Sequence, residues 1–226
     1  MNHTFSFVSA TRKSASEFQT GTALGKSIER IAYDQIKLRV ATDNSRGLPV
    51  VFNEIIAQIP DDEFVIMVHD DVWIDDYYLL LRVLEGLEQF DIIGLAGNRR
   101  RRPHQPAWNS TERVSDWDDP KFLSGRVAHG PNPGGGVAVY GTAPAPCELL
   151  DGVFLATRKS TLSKHDLRFD PRFDFHFYDL DFCRTARQKG LRLGTWPICI
   201  THMSTARFEG PSWVSNREKY FLKWGD

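Results

Sequence analysis

The sequence predicts an α/β protein with a mostly parallel central sheet flanked by helices. Three observations carry that expectation. Over the first hundred residues, short β-branched and aromatic runs alternate with segments whose apolar residues recur at helical spacing, the pattern of right-handed βαβ units. Polar residues collect after the strand-like runs, where open α/β sheets bind ligands. The chain, 226 residues and 41% hydrophobic, is large enough for a real core.

In order, "FSFVSAT" (5–11) is a short β-rich run, and "TGTALGKSIERIAYD" (20–34) places Leu24, Ile28 and Ile31 on one helical face. "IKLRVATD" (36–43) alternates like a strand and ends in the polar turn "DNSRG". Pro49 suits a first helical turn, and Val51, Ile55 and Ile59 continue one face as far as Pro60. "FVIMV" (64–68) is the next strand, and Asp76 is placed to cap the helix carrying Leu79, Leu80, Val83, Leu84 and Leu87. "DIIGLAG" (91–97) reads as a further buried strand. From Arg99 to Pro146 the chain reads as irregular, rich in Arg, Pro and Gly; so long a segment inside a domain is usually functional or disordered. "LLDGVFLAT" (149–157) is a strand interrupted by Asp151-Gly152, and "FYDLDFCRTARQKG" (177–190) a helix ending at Gly190. "LRLGTWPICI" (191–200) is a last strand, closing on "THMS". The tail is aromatic, with Trp213, Tyr220, Phe221 and Trp224. The expected organisation is one domain over 1–226, with halves at 1–98 and 147–226 joined by a variable loop, 99–146.

Composition excludes several classes. A net charge of −1, from 28 basic and 29 acidic residues, argues against general nucleic-acid binding. No apolar run approaches the roughly 20 residues of a transmembrane segment, and "MNHTFSFVSATRKS" lacks the pattern of a signal peptide. Cys147, Cys183 and Cys199 are odd in number and far apart. They read as reduced thiols of a cytoplasmic protein, not as a disulfide or zinc framework.

The chemistry-bearing residues sit at predicted strand ends: Ser9, Thr11 and Arg12; Asp43 and Asn44; His69, Asp70 and Asp71; and His202. Asp179 and Asp181 stand at the start of a helix. Adjacent carboxylates repel unless a cation lies between them. Asp70, Asp71 and His202 supply oxygen and imidazole groups that suit Mn²⁺ or Mg²⁺, with positions left for phosphate oxygens. Plainer readings stand beside these: Asp70-Asp71 as a solvated turn, His202 as a structural hydrogen-bonder, Asp43 in a turn, Asp179 as a helix cap. On a helix Asp179 and Asp181 point in different directions, so one of them at most faces a given substrate atom. The arginines at 99–102 read as a solvated loop, or as a clamp on phosphate.

The order "FSFVSAT", "ATDNSRG", "VHDDVWI", "LDGVFLAT", "FHFYDLDFCRTARQKG", "ITHMS" resembles the family 2 glycosyltransferases of GT-A fold. It looks most like the bacterial branch grouped with a streptomycin-biosynthesis protein. The resemblance implies a hexosyltransferase-type enzyme of polysaccharide or glycoconjugate biosynthesis, using Mn²⁺ or Mg²⁺. It would take a nucleotide-diphosphate sugar as donor and a glycan, a lipid-linked or a small-molecule acceptor. It places Asp43 on the nucleobase and Thr11 at the nucleotide, with Asp70 near ribose or diphosphate. Asp71 and His202 fall on the metal, Asp151 and Gly152 on the acceptor side, and Asp179 on the catalytic base. Residues 1–98 then form the nucleotide-binding half and 147–226 the acceptor-side half. Two departures stand out: His69 occupies a position where relatives often have aspartate, and Tyr178 one where many have glutamate. The rival readings are a nucleotidyltransferase, a non-catalytic sugar-nucleotide or glycan-binding module, and a metal-dependent phosphoesterase. Against the first, "SATRKSASEF" holds no glycine-rich loop.

Overall fold

The computed structural model describes residues 3–203 and 208–225; Ser204, which ends the predicted "THMS" turn, lies outside them. The first units are β1 (Phe5–Ala10), α1 (Ala15–Gly21), α2 (Ala23–Ile31), β2 (Ile36–Ala41), α3 (Leu48–Ala57) and β3 (Phe64–Val68). Where the spacing predicts one helix from Thr20, the chain makes two. Ser14 and Glu17 form a capping box at the start of α1. Thr22 then ends α1 and caps α2, its Oγ1 accepting from the Gly25 N–H at 3.0 Å. Gly25 lets the two helices meet, because a Cβ there would collide with the Phe18 carbonyl.

The next elements are β4 (Val72–Ile74), α4 (Leu79–Gln89), β5 (Ile92–Gly94) and β6 (Ala96–Asn98). Asp76 acts from two residues before the first turn of α4, accepting from the Tyr78 N–H at 2.9 Å and pairing with Arg82 at 2.8 Å. The run 91–97, read as one strand, is split at Leu95 between two sheets.

The segment 99–146 is not irregular throughout. It contains β7 (Leu123–His129), β8 (Gly136–Gly141) and most of β9 (Ala145–Cys147). β7 and β8 form an antiparallel pair with a register shift between Gly125 and Arg126. Gly125 sits at φ +95°, packed on the Leu95 carbonyl, so only glycine fits there. Gly125, one of the glycines that disguise the strands in sequence, is where the pair shifts register.

β10 (Leu149–Leu150), β11 (Phe154–Arg158), α5 (Lys159–Lys164), α6 (Tyr178–Gln188), β12 (Leu193–Thr195), β13 (Ile200–His202) and α7 (Pro211–Trp224) complete the chain. The predicted last strand is therefore two strands, and the aromatic tail is a helix. Trp213 and Tyr220 of α7 are buried against Phe177, with ring centroids 5.4 and 5.2 Å away.

The main sheet runs β2-β1-β3-β11-β5-β12-β9. Pairing is parallel in β2-β1-β3 and between β5 and β12, and antiparallel on both sides of β11 and at β9. The second sheet, β10-β6-β7-β13-β4 with β8 beside β7, stands at the carboxyl end of β3. Helices flank the main sheet, and β3, next to the central strand β11, is buried along its whole length. No helix among the described residues is long and apolar enough to cross a membrane.

Candidate active site

The site forms where the two sheets meet. β3 is a run of buried apolar residues, and the chain leaves it at His69, Asp70 and Asp71 before entering β4. β13 lies antiparallel to β4 with His202 opposite Val72, which brings His202 next to Asp71. Its Nε2 is 3.3 Å from Asp71 Oδ1. His69 joins them: one ligand atom from each of His69, Asp71 and His202 lies within 4.8 Å of the others. Asp70 stays outside the group, and its backbone carbonyl accepts from the Leu24 N–H at 3.1 Å, holding the start of α2.

Tyr178, at the start of α6, fixes His69. Its hydroxyl is 2.9 Å from His69 Nε2 and 2.9 Å from the Gly152 carbonyl. The carbonyl can only accept, so the phenol proton goes to Gly152 and Nε2 must carry the other proton. Nδ1 of His69 is then the nitrogen with a lone pair. Burial holds the His69 imidazole below its ordinary pKa, which keeps it neutral. His202 moves the other way: burial opposes its charge, but the hydrogen bond and the charge of Asp71 prevail and raise it. Burial also holds the Tyr178 phenol well above its usual range.

A second cluster adjoins the first. Asp179 Oδ2 accepts from the Gly152 N–H at 3.0 Å and Oδ1 from the Leu180 N–H at 2.9 Å. Burial, aided by the nearby charge of Asp151, raises its pKa to about 7 despite those two donors. Asp151 is held by the Trp108 indole N–H at 2.8 Å and the Val153 N–H at 2.9 Å. A Cβ on Gly152 would strike the Tyr178 hydroxyl and come within 2.8 Å of Asp179 Cβ. Glycine at 152 is what lets the backbone touch both residues.

Asp181 is placed elsewhere. Its carboxylate, in a residue only 1% exposed, pairs with Lys223 at 2.7 Å and accepts from the Trp224 indole at 2.8 Å. It ties α7 to α6 and does not face the cluster around Asp179.

The loops after β1 and β2 are laced together. Thr11 N–H donates to the Ala41 carbonyl, Asn44 N–H to that of Thr11 and Asp43 N–H to that of Lys13, each at 2.9 Å. Asp43 is exposed at φ +49°, a left-handed conformation that aspartate tolerates better than most residues. The side chain of Asn44 closes a turn on Arg46. Arg12 is exposed and Thr11 buried; Ser9 lies inside β1, also buried, rather than at the strand end.

The structure thus brings together Asp71 with His202, Asp151 and Gly152 with Asp179, and Thr11 with Asp43 and Asn44. His69 is the residue missed in the predicted metal set, and its spacing two residues before Asp71 is the signal that points to it: side chains two apart in extended chain share a side.

The chain matches the model of a family described as "Glycosyltransferase like family" over residues 28–223. No curated protein matches it. Among the solved structures that share its fold are three glycosyltransferases. A substituted Drosophila beta-1,4-galactosyltransferase 7, in complex with manganese, UDP-Gal and xylobiose, gives a TM-score of 0.52 at 11% identity, over 94% of this chain and 79% of its own. The mannosyltransferase PcManGT from Pyrobaculum calidifontis, in complex with GDP-Man and Mn²⁺, gives 0.52 at 12% identity, over 90% of this chain and 57% of its own. GalNAc-T7 with UDP, GalNAc and Mn²⁺ gives 0.56 at 9% identity, over 99% of this chain and 49% of its own. This chain therefore spans about half the length of the last two. At these identities the common property is the GT-A fold.

Proposed function

The chain belongs to the glycosyltransferase-like family, and from that premise we propose that it moves a sugar, a hexose by type, from a nucleotide diphosphate to an acceptor hydroxyl with inversion. The observation that carries this reading is the juxtaposition of an imidazole–carboxylate–imidazole group with a carboxyl group whose pKa is raised to about 7, the two joined through Tyr178 and Gly152.

His69, Asp71 and His202 are a donor set that fits Mn²⁺, two nitrogens and an oxygen with no thiolate. Bound there, the ion supplies Lewis-acid neutralisation of charge on a departing diphosphate. The other roles belong to the chain. Thr11, Arg12, Asp43 and Asn44 hold the nucleotide, with Asp43 at the base, and Asp70 lies toward the ribose. Asp151 and Gly152 line the acceptor side. Asp179 takes the proton of the acceptor hydroxyl as that oxygen bonds to the anomeric carbon and the bond from carbon to the diphosphate oxygen breaks. The Gly152 and Leu180 N–H groups keep Asp179 oriented throughout.

The test is thermal stability with UDP-, GDP-, CDP- and dTDP-sugars, with and without Mn²⁺. A ligand at a hundred times its Kd adds ~2.7 kcal/mol of stability. The expected result is a large shift with one nucleotide class that depends on Mn²⁺. No shift with any of them overturns the reading, and binding without turnover across many acceptors points to a non-catalytic module. Tyr178→Phe is a second check. It removes the hydrogen bond that orients His69 while keeping the ring, and should weaken Mn²⁺ by about 10- to 100-fold, the usual cost of losing a partner behind a metal ligand. Titration followed by the Mn²⁺ electron spin signal measures it, and unchanged affinity removes Tyr178 from the site.

A further inference from the structure

The segment before β7 and the strand β8 supply three rings in a line that starts at Asp151, the neighbour of the candidate base, and the chemistry above uses none of them. Trp108 is buried and bonds Asp151 through its indole N–H at 2.8 Å. Tyr140 meets Trp108 edge to face, with centroids 4.9 Å apart, and lies 5.8 Å from Trp117 at an interplanar angle of 39°. The Tyr140 hydroxyl is 3.4 Å from His129 Nε2, and the His129 ring is 6.0 Å from that of His202. A line of rings thus runs from His202 through His129 and Tyr140 to Trp117, with Trp108 tying it to Asp151.

Trp117 ends this line and is 58% exposed. Its position is built. The backbone bridges Ser110 to Trp117, Thr111 N–H donates to the Asp116 carbonyl at 2.8 Å, and Asp118 N–H donates to that of Asn109 at 2.8 Å. Asp118 is buried against Arg100 and Asn98. An indole braced on a tyrosine, held by a closed loop and left open to water costs apolar exposure and gains little as core.

We infer that Trp117 and Tyr140 form a carbohydrate-binding platform for a neutral sugar. A pyranose has a C–H face that packs on an aromatic ring and hydroxyls round its edge that need polar partners. Asp116, the residue before Trp117, is exposed, and its carboxylate accepts hydrogen bonds from hydroxyls, as it does from Ser115 at 3.0 Å; Asp119 is exposed too but paired with Lys121 at 2.9 Å. Asp119 is balanced by Lys121 and Asp118 by Arg100, so these ion pairs add no net charge beside the ring, which suits a neutral ligand. The sugar site stands on these rings alone. That it holds the acceptor rests on the transfer reading, because Trp108 links the platform to Asp151 beside Asp179.

The experiment is saturation-transfer NMR of the whole chain with xylobiose, cellobiose, lactose, maltose and mannobiose at millimolar concentration. The expected result is transfer to ring C–H protons of at least one of them. Trp117→Ala should weaken binding about tenfold, a stacked ring's contribution, and Trp117→Phe should recover part of it. Wild-type and Trp117→Ala protein should show the same thermal shift with nucleotide and Mn²⁺, because Trp117 lies outside the donor site. Absence of transfer from all five sugars overturns the platform, and so does binding indifferent to Trp117→Ala. If sugar binding depends on Trp117 while no nucleotide binds, the platform stands and the transfer reading falls.

Discussion

Replacing Asp179 by Asn should leave the fold and nucleotide binding in place and cut sugar transfer by about 100-fold or more, the scale of a lost general base. Asparagine keeps the size and one carboxyl-like acceptor, so one of the bonds from the Gly152 and Leu180 N–H groups persists. What it loses is the ability to take a proton. The pH profile is a separate signature. With its pKa raised to about 7, wild-type Asp179 becomes ionised as pH rises through that value, so transfer should rise across neutral pH. Stability runs the opposite way. The folded carboxyl has a higher proton affinity than the unfolded one, so its contribution is complete below the ordinary aspartate range and is lost as pH climbs toward 7. Asp179→Asn should therefore gain stability relative to wild type at pH 8, and not at pH 4. Near-normal turnover in this variant rules out Asp179 as the base. Asp181→Asn is the matched control: its partners are Lys223 and Trp224, so it should lower the melting temperature and spare turnover in the protein that remains folded.

Asp71→Ala should lower Mn²⁺ affinity by at least about 100-fold and abolish the metal-linked part of nucleotide binding, since losing a residue that merely supports a ligand already costs about 10- to 100-fold. The alanine removes the oxygen that lies 3.3 Å from His202 Nε2, the carboxylate of the three-residue group, and leaves only the more distant charge of Asp151 acting on both imidazoles. His69→Ala and His202→Ala should weaken the metal as well, whereas Asp70→Asn should change it little because Asp70 is outside the group. Affinity should rise with pH, because Asp71 raises the pKa of His202 and its proton must leave before the nitrogen can bind a cation. Calorimetry with Mn²⁺ on the four variants decides this. Unchanged metal-linked affinity in Asp71→Ala would sink the assignment.

The run "FVIMV", the helical spacing after it and the polar strand ends are local signals, and they determined that the chain alternates strand and helix and gathers polar residues where strands end. Asp71 beside His202, and Asp179 beside Gly152, were legible for the same reason, though only through the order of whole motifs. The structure alone decided the rest. In sequence the segment that holds β7 and β8 looks like loop because glycine weakens strand propensity, and only pairing with β6 and β13 makes it a sheet. Local propensity does not separate Asp179 from Asp181, and in the sequence only the resemblance favours Asp179. The difference between them is Lys223 and Trp224, more than forty residues away, which α7 brings against one and not the other. Likewise, His69 becomes a partner of His202 only because β13 returns to β4. Periodicity reports which side of a segment is buried, because burial is a property of neighbours three or four residues apart. It carries no record of which distant segment covers that side, and here the distant segments determine that Asp181 is bound by α7 while Asp179 stays beside Gly152.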